Sequence, residues 1–314
     1  MTTSIKDAAA KIRAGGVVAF PTETVYGLGA NALDAAAVAK VFELKGRPGT
    51  SPLIVHVAST EMARELVTEW PSLAEELSAK WWPGPLTLVL PKKPIVPDIV
   101  TAGLPTVGLR MPDHSLALEL IREAGVPIAA PSANRFGQLS PTTAGHVRQA
   151  FGDAVDVLDG GPTRVGIEST VVAIKDGQLE VLRPGMIDLA AAHGAAPPEA
   201  SEAHLSPGLH PRHYSPHARL ILVASPRDVP GRDGAYIWRK RAGLVSRSIR
   251  MPADPVHYAA RLYAVLHELD AEKWPWIAVE AVPETSEWAA IRDRLKRASE
   301  PDGSPQESLP GSEG

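Results

Sequence analysis

The chain has 314 residues, enough for two domains, and its 44% apolar and 22% charged residues are ordinary proportions for a folded globular protein. Its formal net charge of −4 excludes a global basic field for nucleic acid or an anionic membrane, so any phosphate site must use local basic groups. The sequence has no cysteine, which excludes disulfides, thiol catalysis and cysteine-bound zinc.

The N-terminal segment is charged and amphipathic, and it lacks the apolar centre of a signal peptide. No later stretch approaches the roughly 18 uncharged apolar residues of a membrane span. We therefore expect a soluble protein in the cytoplasm, with no membrane partner.

The first two hundred residues mix helical patterns with many short strand-like runs. Helices are predicted over residues 4–14, 34–45 and 59–79, with Asp34 as a cap of the second. The predicted strands are VVAF, LIVHVAS, LTLVLP, TVGLRM, PIAAPSAN, VDVLDGG, ESTVVAI and QLEVLRPG. This mixture favours an open, mixed α/β sheet over a repeating βαβ array.

The composition changes between about residues 188 and 217, where Ala, Pro and His dominate and apolar positions are not periodic. Beyond this segment, ARLILVAS, GAYIWR, GLVSRSI and WIAVEAV are typical of strands and surround a helical pattern; a second helical pattern follows. We predict a first domain over residues 1–187, a linker over 188–217, a smaller βαβ-type domain over 218–298 and a polar tail over 299–314.

Glycines after the first strand match a loose dinucleotide pattern, G-x-G-x-x-A, over residues 27–32. A polar PTET segment separates them from the strand, and no acidic residue ends a second strand at the expected distance. We interpret them as glycines of a tight turn in a loop. The sequence also lacks the G-x-x-x-x-G-K-[ST] motif of a P-loop.

Two cations end the second predicted helix. Lys45 and Arg47 stand on a loop stiffened by Gly46 and Pro48, close to the hydroxyls of Thr50 and Ser51. A lysine supplies a point charge and an arginine a planar fork, a combination that suits a polyphosphate. The alternative is that both residues only complement the dipole at the helix C-terminus.

A second polar group follows an apolar strand in PIAAPSAN. Ser132 and Asn134 lie on a loop fixed by Pro131, and ligands of open α/β sheets bind at strand ends. Hydroxyl and amide groups there can bind phosphate oxygens or hydrated magnesium. An ordinary Ser/Asn turn is the alternative.

Taken together, GGVVAFPTETVYGLGANA, the K-x-R of residues 45–47, RPGTSPLIVHV, the PSAN of residues 131–134 and ESTVV resemble the YrdC-type threonylcarbamoyladenylate synthases. SPGLHPRHYSPHARL, HYAARLYAVLHELD and AAIRDRLKRAS resemble the linker and C-terminal domain of the longer, two-domain members. The resemblance covers about residues 4–298. It implies an open, twisted YrdC-like mixed sheet with helices, and a smaller Rossmann-like domain.

The resemblance also implies a reaction. Threonine and bicarbonate give N-carboxythreonine, which attacks the α-phosphate of ATP and releases pyrophosphate, with magnesium held mainly through the ATP phosphates. Threonylcarbamoyl-AMP then passes to separate proteins that modify the adenosine beside the anticodon of tRNA. The expected partners are ATP, L-threonine, bicarbonate and those transfer proteins, with a weak contact to tRNA.

Residue roles are implied by the same resemblance, position by position. The expected catalytic residues are Lys45, Arg47, Ser132 and Asn134. The nucleotide is expected against Arg47, Ser51, Thr106, Ser132, Asn134, Ser140, Arg183 and the linker's Tyr214, whose segment folds over the site in two-domain relatives. Threonine is expected against Thr24, His56, Arg110, Ser169 and the backbone of Ala130.

Other interpretations of these residues stay open. His56 lies in an apolar strand, where a lone histidine is often a satisfied core residue. Arg110 needs an anion, which a substrate carboxylate, Asp113 or Glu168 could provide. The histidines 210, 213 and 217 have metal-like spacing, but no carboxylate or cysteine completes a ligand set, so we predict no metal bound by direct protein ligands.

Two alternative functions remain at this point: a carbamoyl-adenylate transferase module like those of hydrogenase maturation proteins, and a non-catalytic tRNA-binding or double-stranded RNA-binding module. The absence of cysteine is against the first, and the net charge with 5% aromatic residues is against the second. No convincing polar cluster is visible after residue 218. We therefore predict that the C-terminal domain positions the linker without supplying catalytic groups.

Overall fold

A computed structural model describes residues 3–49, 51–175, 177–189 and 214–300 of the chain. Within these ranges the chain forms two α/β units, each built on its own sheet. Most of the predicted linker, including His210 and His213, and nearly all of the predicted tail lie outside the described residues.

The helices and strands, numbered in chain order, have the following bounds. The helices are α1 (Ile5–Arg13), α2 (Ala35–Lys45), α3 (Thr60–Glu65), α4 (Ser72–Trp81), α5 (Asp98–Thr101), α6 (Ser115–Ala124), α7 (Ala144–Phe151), α8 (Pro255–Ala271) and α9 (Ala289–Ser299). The strands are β1 (Val18–Phe20), β2 (Gly27–Asn31), β3 (Ile54–His56), β4 (Leu86–Pro91), β5 (Thr106–Arg110), β6 (Ile128–Ala129), β7 (Asp156–Val157), β8 (Thr170–Lys175), β9 (Gln178–Arg183), β10 (Arg219–Val223), β11 (Ala235–Trp238), β12 (Arg247–Arg250) and β13 (Trp276–Glu280).

The first unit is a nine-stranded mixed sheet in the order β7-β1-β2-β6-β3-β5-β4-β8-β9. Its parallel and antiparallel pairs alternate irregularly, as the mixture of short strands and helices predicts. Around β1 both faces are covered: Phe20 packs with α1 and α6, whereas Ala19 packs with α2 and α7. The predicted open mixed α/β sheet is confirmed.

Residues 27–31 form strand β2, so their prediction as part of a turn-rich loop is wrong. A Cβ on Gly27 or Gly29 would meet the Phe20 ring at 3.2 and 2.7 Å respectively. These glycines therefore allow an aromatic ring to pack directly on the strand, and no dinucleotide loop forms. The glycines had suggested a turn because glycine is a poor strand former.

The helix predicted over residues 59–79 is also divided. Residues between α3 and α4 leave the helical conformation, and Pro71 stands in extended backbone as the cap residue of α4. A proline preceded by a non-helical residue is an ordinary place for a helix to stop and another to start. Helices α6 and α7 were not predicted.

The second unit has four parallel strands in the order β10-β13-β11-β12, in agreement with the predicted βαβ-type domain. Helices α8 and α9 supply much of its core. This core also contains Val25 and Ile167 of the first unit, so the two units share apolar packing. A Cβ on Gly166 would lie 2.5 Å from the Ala259 carbonyl oxygen, which shows how closely that loop lies on α8. No helix among the described residues is long and apolar enough to cross a membrane.

Candidate active site

A cavity opens in the first unit where several strand ends and loops meet. Its walls come from the PTET loop after β1, the ends of β3, β5 and β9, the segment after β6 and the turn before β8. Tyr214, from the C-terminal end of the linker, closes one side. We expected polar groups to collect at strand ends, and several of them line this cavity.

Arg47 enters this cavity because helix α2 ends abruptly before it. Gly46 adopts a left-handed conformation (φ 63°), and the Arg47 amide donates back to the Phe42 carbonyl at 3.0 Å. The side chain is buried, with 7% exposure, and its Nη2 donates to the Pro52 carbonyl at 3.1 Å. Its Nε has no hydrogen-bond partner, and no carboxylate pairs with Arg47 within the described ranges.

Arg183 brings a second guanidinium to the same cavity from the end of β9. Its Nε and Nη2 donate to the Ser169 carbonyl at 3.2 and 3.1 Å, and Nη2 also reaches the Ser169 hydroxyl at 3.2 Å. Burial lowers the pKa of Arg47 to about 10, and the Arg183 charge also lowers it while the Tyr214 phenol opposes the shift. Two buried guanidinium groups thus repel one another at the cavity wall, an arrangement that an anion would stabilise.

Lys45 has a different place from the one its motif suggested. Its ammonium donates to the Ser132 carbonyl at 2.6 Å and to the Asn134 carbonyl at 2.5 Å. Burial, and then the nearby Arg47 charge, hold the pKa of this lysine well below its ordinary value. Lys45 does not line the cavity. It ties the loop that carries Ser132 to the end of α2.

Ser132 lines the cavity, and Asn134 does not. The backbone of Ser132 bridges to Gly27 of β2, which fixes the loop against the sheet. The Asn134 amide group donates to the carbonyls of Arg135 and Gln138 at 2.7 and 2.9 Å. Like Lys45, Asn134 stabilises the loop, although its buried Oδ1 has no hydrogen-bond partner among the described residues.

The residues expected around threonine all line the cavity: Thr24, His56, Arg110, Ala130 and Ser169. The sheet brings two of them together directly, since His56 and Arg110 are paired positions on the parallel strands β3 and β5. The Ser169 hydroxyl contacts the Thr87 hydroxyl at 2.8 Å, and the Thr24 hydroxyl contacts that of Thr22 at 2.8 Å. This part of the cavity therefore offers neighbouring hydroxyls and the guanidinium of Arg110.

Arg110 pairs with Glu23, a residue that the sequence did not single out. Arg110 Nη2 lies 2.8 Å from Glu23 Oε2, and both side chains are almost fully buried. The contact is short but poorly aligned, because neither atom makes a hydrogen bond of acceptable geometry. The suggested protein partners of Arg110 were wrong: Asp113 pairs with Arg164, and Glu168 pairs with Arg294.

His56 is buried and neutral. Burial lowers its pKa to about 3, and the neighbouring Arg110 charge contributes to the same shift. Its ring meets the Phe20 ring edge-on at 5.6 Å between centroids, yet its Nδ1 has no hydrogen-bond partner among the described residues. A satisfied core histidine would not leave that nitrogen unpaired, so the geometry favours a ligand-facing histidine.

Tyr214 seals the cavity from the linker side. It is buried, with 1% exposure, and adopts a left-handed backbone conformation (φ 63°). The next residue anchors it, since the Ser215 amide donates to the Gly137 carbonyl at 3.0 Å. Burial raises the pKa of the Tyr214 phenol, which therefore stays protonated. The predicted contribution of the HYSP segment to the site agrees with this position.

Three other predicted residues do not reach the cavity wall. Ser51 is buried beside the loop of Arg47, and Ser140 is buried with its hydroxyl on Glu168 at 2.5 Å. Thr106 starts β5, whereas Arg110 ends it, so about 13 Å of strand separates them. Thr50 lies outside the described residues. His217 bonds to Asp270 at 2.7 Å, and no metal-like cluster of His, Cys, Asp or Glu occurs in the described ranges.

The second unit also contributes to this region. Arg294 of α9 donates from Nε to Glu168 Oε2 at 2.8 Å, and the Tyr263 hydroxyl of α8 donates to the same oxygen at 3.1 Å. Glu168 lines the cavity next to Ser169. The prediction that this domain only positions the linker missed these side chains. A single arginine in a basic helix gives no sign of a partner more than a hundred residues away.

Comparisons with known proteins agree with this architecture. The Sua5/YciO/YrdC family, described as "Telomere recombination", matches residues 10–185, and "Threonylcarbamoyl-AMP synthase, C-terminal domain" matches residues 170–300. A threonylcarbamoyl-AMP synthase of Pyrococcus abyssi (strain GE5 / Orsay) is 43% identical, covering 94% of both chains. One from Bacillus subtilis (strain 168) is also 43% identical, over 94% of this chain and 92% of the relative. A crystal structure of P. abyssi Sua5 complexed with L-threonine superposes with a TM-score of 0.87, at 39% identity and 94% coverage of both chains.

Proposed function

The chain belongs to the Sua5/YciO/YrdC family of threonylcarbamoyl-AMP synthases, and from this premise we propose that its cavity binds L-threonine and ATP side by side. The chain is a nucleotidyltransferase that forms threonylcarbamoyl-AMP for tRNA modification. The two matched regions together extend from residue 10 to residue 300. Each half of the cavity has side chains suited to one of the two ligands.

The buried pair of guanidinium groups supports the nucleotide half of the proposal most directly. Arg47 has no carboxylate partner among the described residues, and Arg183 is held beside it by Ser169. A triphosphate would supply negative charge opposite Arg47, and guanidinium groups bind phosphate oxygens with paired donors. The Ser132 hydroxyl, on the same cavity wall, is placed to bind a further phosphate oxygen.

The Arg110 side of the cavity suits the amino acid. Its poorly aligned contact with Glu23 leaves guanidinium capacity for the carboxylate of L-threonine, and P. abyssi Sua5 has been crystallised with that amino acid. Thr24 and Ser169 offer hydroxyls for the side chain of threonine. His56 stays neutral, so it interacts as a hydrogen-bonding imidazole without adding charge.

These positions fit an in-line reaction between two neighbouring ligands. Threonine's amine adds the carbon of carbon dioxide derived from bicarbonate, giving a carbamate and releasing a proton. A carbamate oxygen then forms a bond to the α-phosphorus of ATP as the bond to the pyrophosphate oxygen breaks. Arg47 and Arg183 stabilise the charge that moves onto pyrophosphate, while Tyr214 limits access of water to the mixed anhydride.

Magnesium is the cofactor we propose, held mainly through the phosphates of ATP. The carboxylates near the cavity, Glu23 and Glu168, already face arginines, and no three-residue metal cluster occurs in the part of the chain that the structure describes. The Ser132 hydroxyl is an oxygen ligand of the kind that a hydrated magnesium accepts. When bound, the ion would neutralise part of the phosphate charge. Arg47 and Arg183 would stabilise the rest.

Lys45 and Asn134 act in this proposal by fixing the Ser132 loop. Nucleotide contacts by Ser51, Thr106 and Ser140 stay predictions from the resemblance. So do the transfer proteins that accept the product and a weak contact with tRNA. We propose a cytoplasmic location, since ATP, bicarbonate and the tRNA substrate of the pathway meet there.

The test is mass spectrometry of a reaction containing ATP, magnesium, bicarbonate and L-threonine. We expect a threonine-dependent adenylate of the mass of threonylcarbamoyl-AMP, together with pyrophosphate. Arg47→Met should reduce its formation at least about 100-fold, because the loss removes charge-assisted hydrogen bonds at the phosphates. Arg227→Met, a change at an exposed arginine of the second unit, is the matched control and should leave the rate unchanged. Unchanged product formation by the Arg47 variant would remove the phosphate site from this cavity.

A further inference from the structure

Glu168 joins the two units at the edge of the cavity. Its Oε1 accepts from the Ser140 hydroxyl at 2.5 Å, and its Oε2 accepts from Tyr263 at 3.1 Å and from Arg294 Nε at 2.8 Å. Arg294 has a fully buried side chain and also donates to the Pro184 carbonyl at 3.0 Å. Every member of this group is buried, and the carboxylate has both oxygens occupied.

Arg183 lies beside the same carboxylate. It is held by Ser169, the residue that follows Glu168, and within the described ranges the ion pair of Glu168 is with Arg294. The carboxylate therefore has two arginines within its electrostatic range and pairs with one of them. Arg294 also stacks on the linker, with its guanidinium carbon 5.4 Å from the centre of the Tyr214 ring.

We propose that Arg294 of the second unit is a positioning residue for ATP: by holding Glu168, it prevents this carboxylate from competing with the triphosphate for Arg183. This proposal rests on the proposed function, in which Arg183 binds phosphate. It gives the C-terminal domain a direct electrostatic effect on the nucleotide site, although none of its side chains needs to touch ATP.

The charges explain how Arg294 affects Arg183. With Arg294 in place, Glu168 has its cation at 2.8 Å, and Arg294 also pairs with Asp293 at 2.6 Å. Burial tends to raise the pKa of Glu168, but the Arg294 and Arg183 charges with the Ser140 and Arg294 hydrogen bonds lower it, so the group stays ionised. Without Arg294, this buried carboxylate would lose its cation, and the charge of Arg183, which already acts on Glu168, would be drawn to offset it.

The first measurement is the affinity for ATP of Arg294→Met, by calorimetry at pH 8, where Glu168 is ionised. We expect the Kd for ATP to rise about 10- to 100-fold, the effect of losing one charge-assisted contact to phosphate. The Kd for L-threonine should change less than about threefold. Lys296→Met removes an exposed cation from the same helix and should leave both affinities unchanged.

A second pair of variants separates this effect from simple damage to the domain contact. In Glu168→Gln, position 168 no longer offers a carboxylate to Arg183, and the amide can still bond to Ser140 and Tyr263. Arg294→Met added to Glu168→Gln should therefore cause little further loss of ATP affinity. The double variant removes both members of the Glu168–Arg294 ion pair and leaves neither charge buried alone, so it should fold even if Arg294→Met alone does not. In that case, ATP affinity in the double variant equal to that of Glu168→Gln supports the proposal.

The outcomes distinguish the two proposals. If Arg183→Met leaves the Kd for ATP unchanged, the phosphate site is elsewhere and the proposed function fails at this residue. If Arg183→Met weakens ATP binding but Arg294→Met does not, the role of Arg294 is overturned. It is equally overturned if Arg294→Met weakens ATP binding as much in the Glu168→Gln background as in the native chain, because the effect would then not pass through the carboxylate.

Discussion

Two buried carboxylate–arginine pairs border the cavity, and they differ in how completely they are satisfied. Glu168 and Arg294 lie 2.8 Å apart, and Ser140 and Tyr263 fill the remaining positions on the carboxylate. Glu23 and Arg110 are equally close, at 2.8 Å. However, the two carboxylate oxygens of Glu23 and Nη2 of Arg110 make no well-aligned hydrogen bond.

The difference in hydrogen bonding between the two ion pairs indicates different roles, one structural and one in ligand binding. A buried ion pair with complete hydrogen bonding connects parts of a fold, whereas an incomplete one is unstable unless another group completes it. His56, which is paired with Arg110 in the sheet, also has an unpaired buried nitrogen. We infer that the Glu23–Arg110 side is organised to receive a ligand, while the Glu168–Arg294 side holds the two units together around it.

Arg110→Met gives the largest effect expected from this comparison. It removes the proposed carboxylate ligand of threonine and leaves Glu23 buried without a cation. Truncating one member of a buried charge pair typically weakens binding by several kcal/mol, so the Kd for L-threonine should rise about 100-fold or more. Isothermal titration calorimetry with L-threonine measures it.

The control for that change is Arg122→Met, at an exposed arginine of α6, which should bind threonine as the native chain does. Glu23→Gln combined with Arg110→Met removes the isolated buried charge. It should recover stability but not threonine affinity. Native affinity in the Arg110 variant would show that the incomplete pair is not the amino-acid site.

Lys45→Met addresses whether this lysine fixes the loop or binds phosphate. Its ammonium makes two hydrogen bonds to buried carbonyls, of Ser132 and Asn134, and their loss should lower the free energy of unfolding by about 2 kcal/mol. Because the whole loop is affected, ATP and threonine should both bind more weakly. Urea unfolding and calorimetry with each ligand provide the measurements.

Lys40→Met is the matched change on the exposed side of the same helix. Lys40 donates one hydrogen bond, to the Gly15 carbonyl at 2.7 Å, so the change should lower the free energy of unfolding by at most about 1 kcal/mol and leave both ligand affinities unchanged. If Lys45→Met weakens ATP binding alone, with stability and threonine affinity unchanged, Lys45 contacts phosphate in solution and the loop-anchoring role is wrong.

The sequence predicted the local parts of this site well. The apolar period of α2 and the glycine after it predicted where the helix stops, and therefore that Arg47 stands on a turn. The apolar runs LIVHVAS and TVGLRM predicted strands that contain His56 and Arg110, and these residues lie on β3 and β5. The residues expected around threonine are gathered in one cavity, although their roles remain predictions.

The long-range pairings could not be predicted in the same way. Arg110 of β5 meets Glu23 of the loop after β1 because the sheet order brings these distant segments together, and Glu168 meets Arg294 because α9 packs against the first unit. Which carboxylate reaches which arginine depends on sheet order and domain packing, and a single sequence contains neither. Strand β2 was missed for a related reason, since the packing of Phe20 outweighs the low strand preference of glycine.

The smallest effect that we expect is a dependence of stability on pH that is due to His56. It tests whether the Glu23–Arg110 side of the cavity is incomplete. The His56 pKa of about 3 in the folded chain is below the ordinary value of 6.5, so below pH 6.5 the unfolded chain binds the proton first. Stability due to the neutral ring is therefore full above pH 6.5 and is lost as the pH falls towards 3. Between pH 7 and pH 5 the loss should be roughly 1–2 kcal/mol, and it should be absent in His56→Gln. Urea unfolding at both pH values measures it, with the imidazole signal followed by NMR. A His56 ring that titrates near pH 6.5 in the folded chain would mean that water or a counter-charge already completes this side of the cavity, and the contrast with the Glu168 side would then disappear.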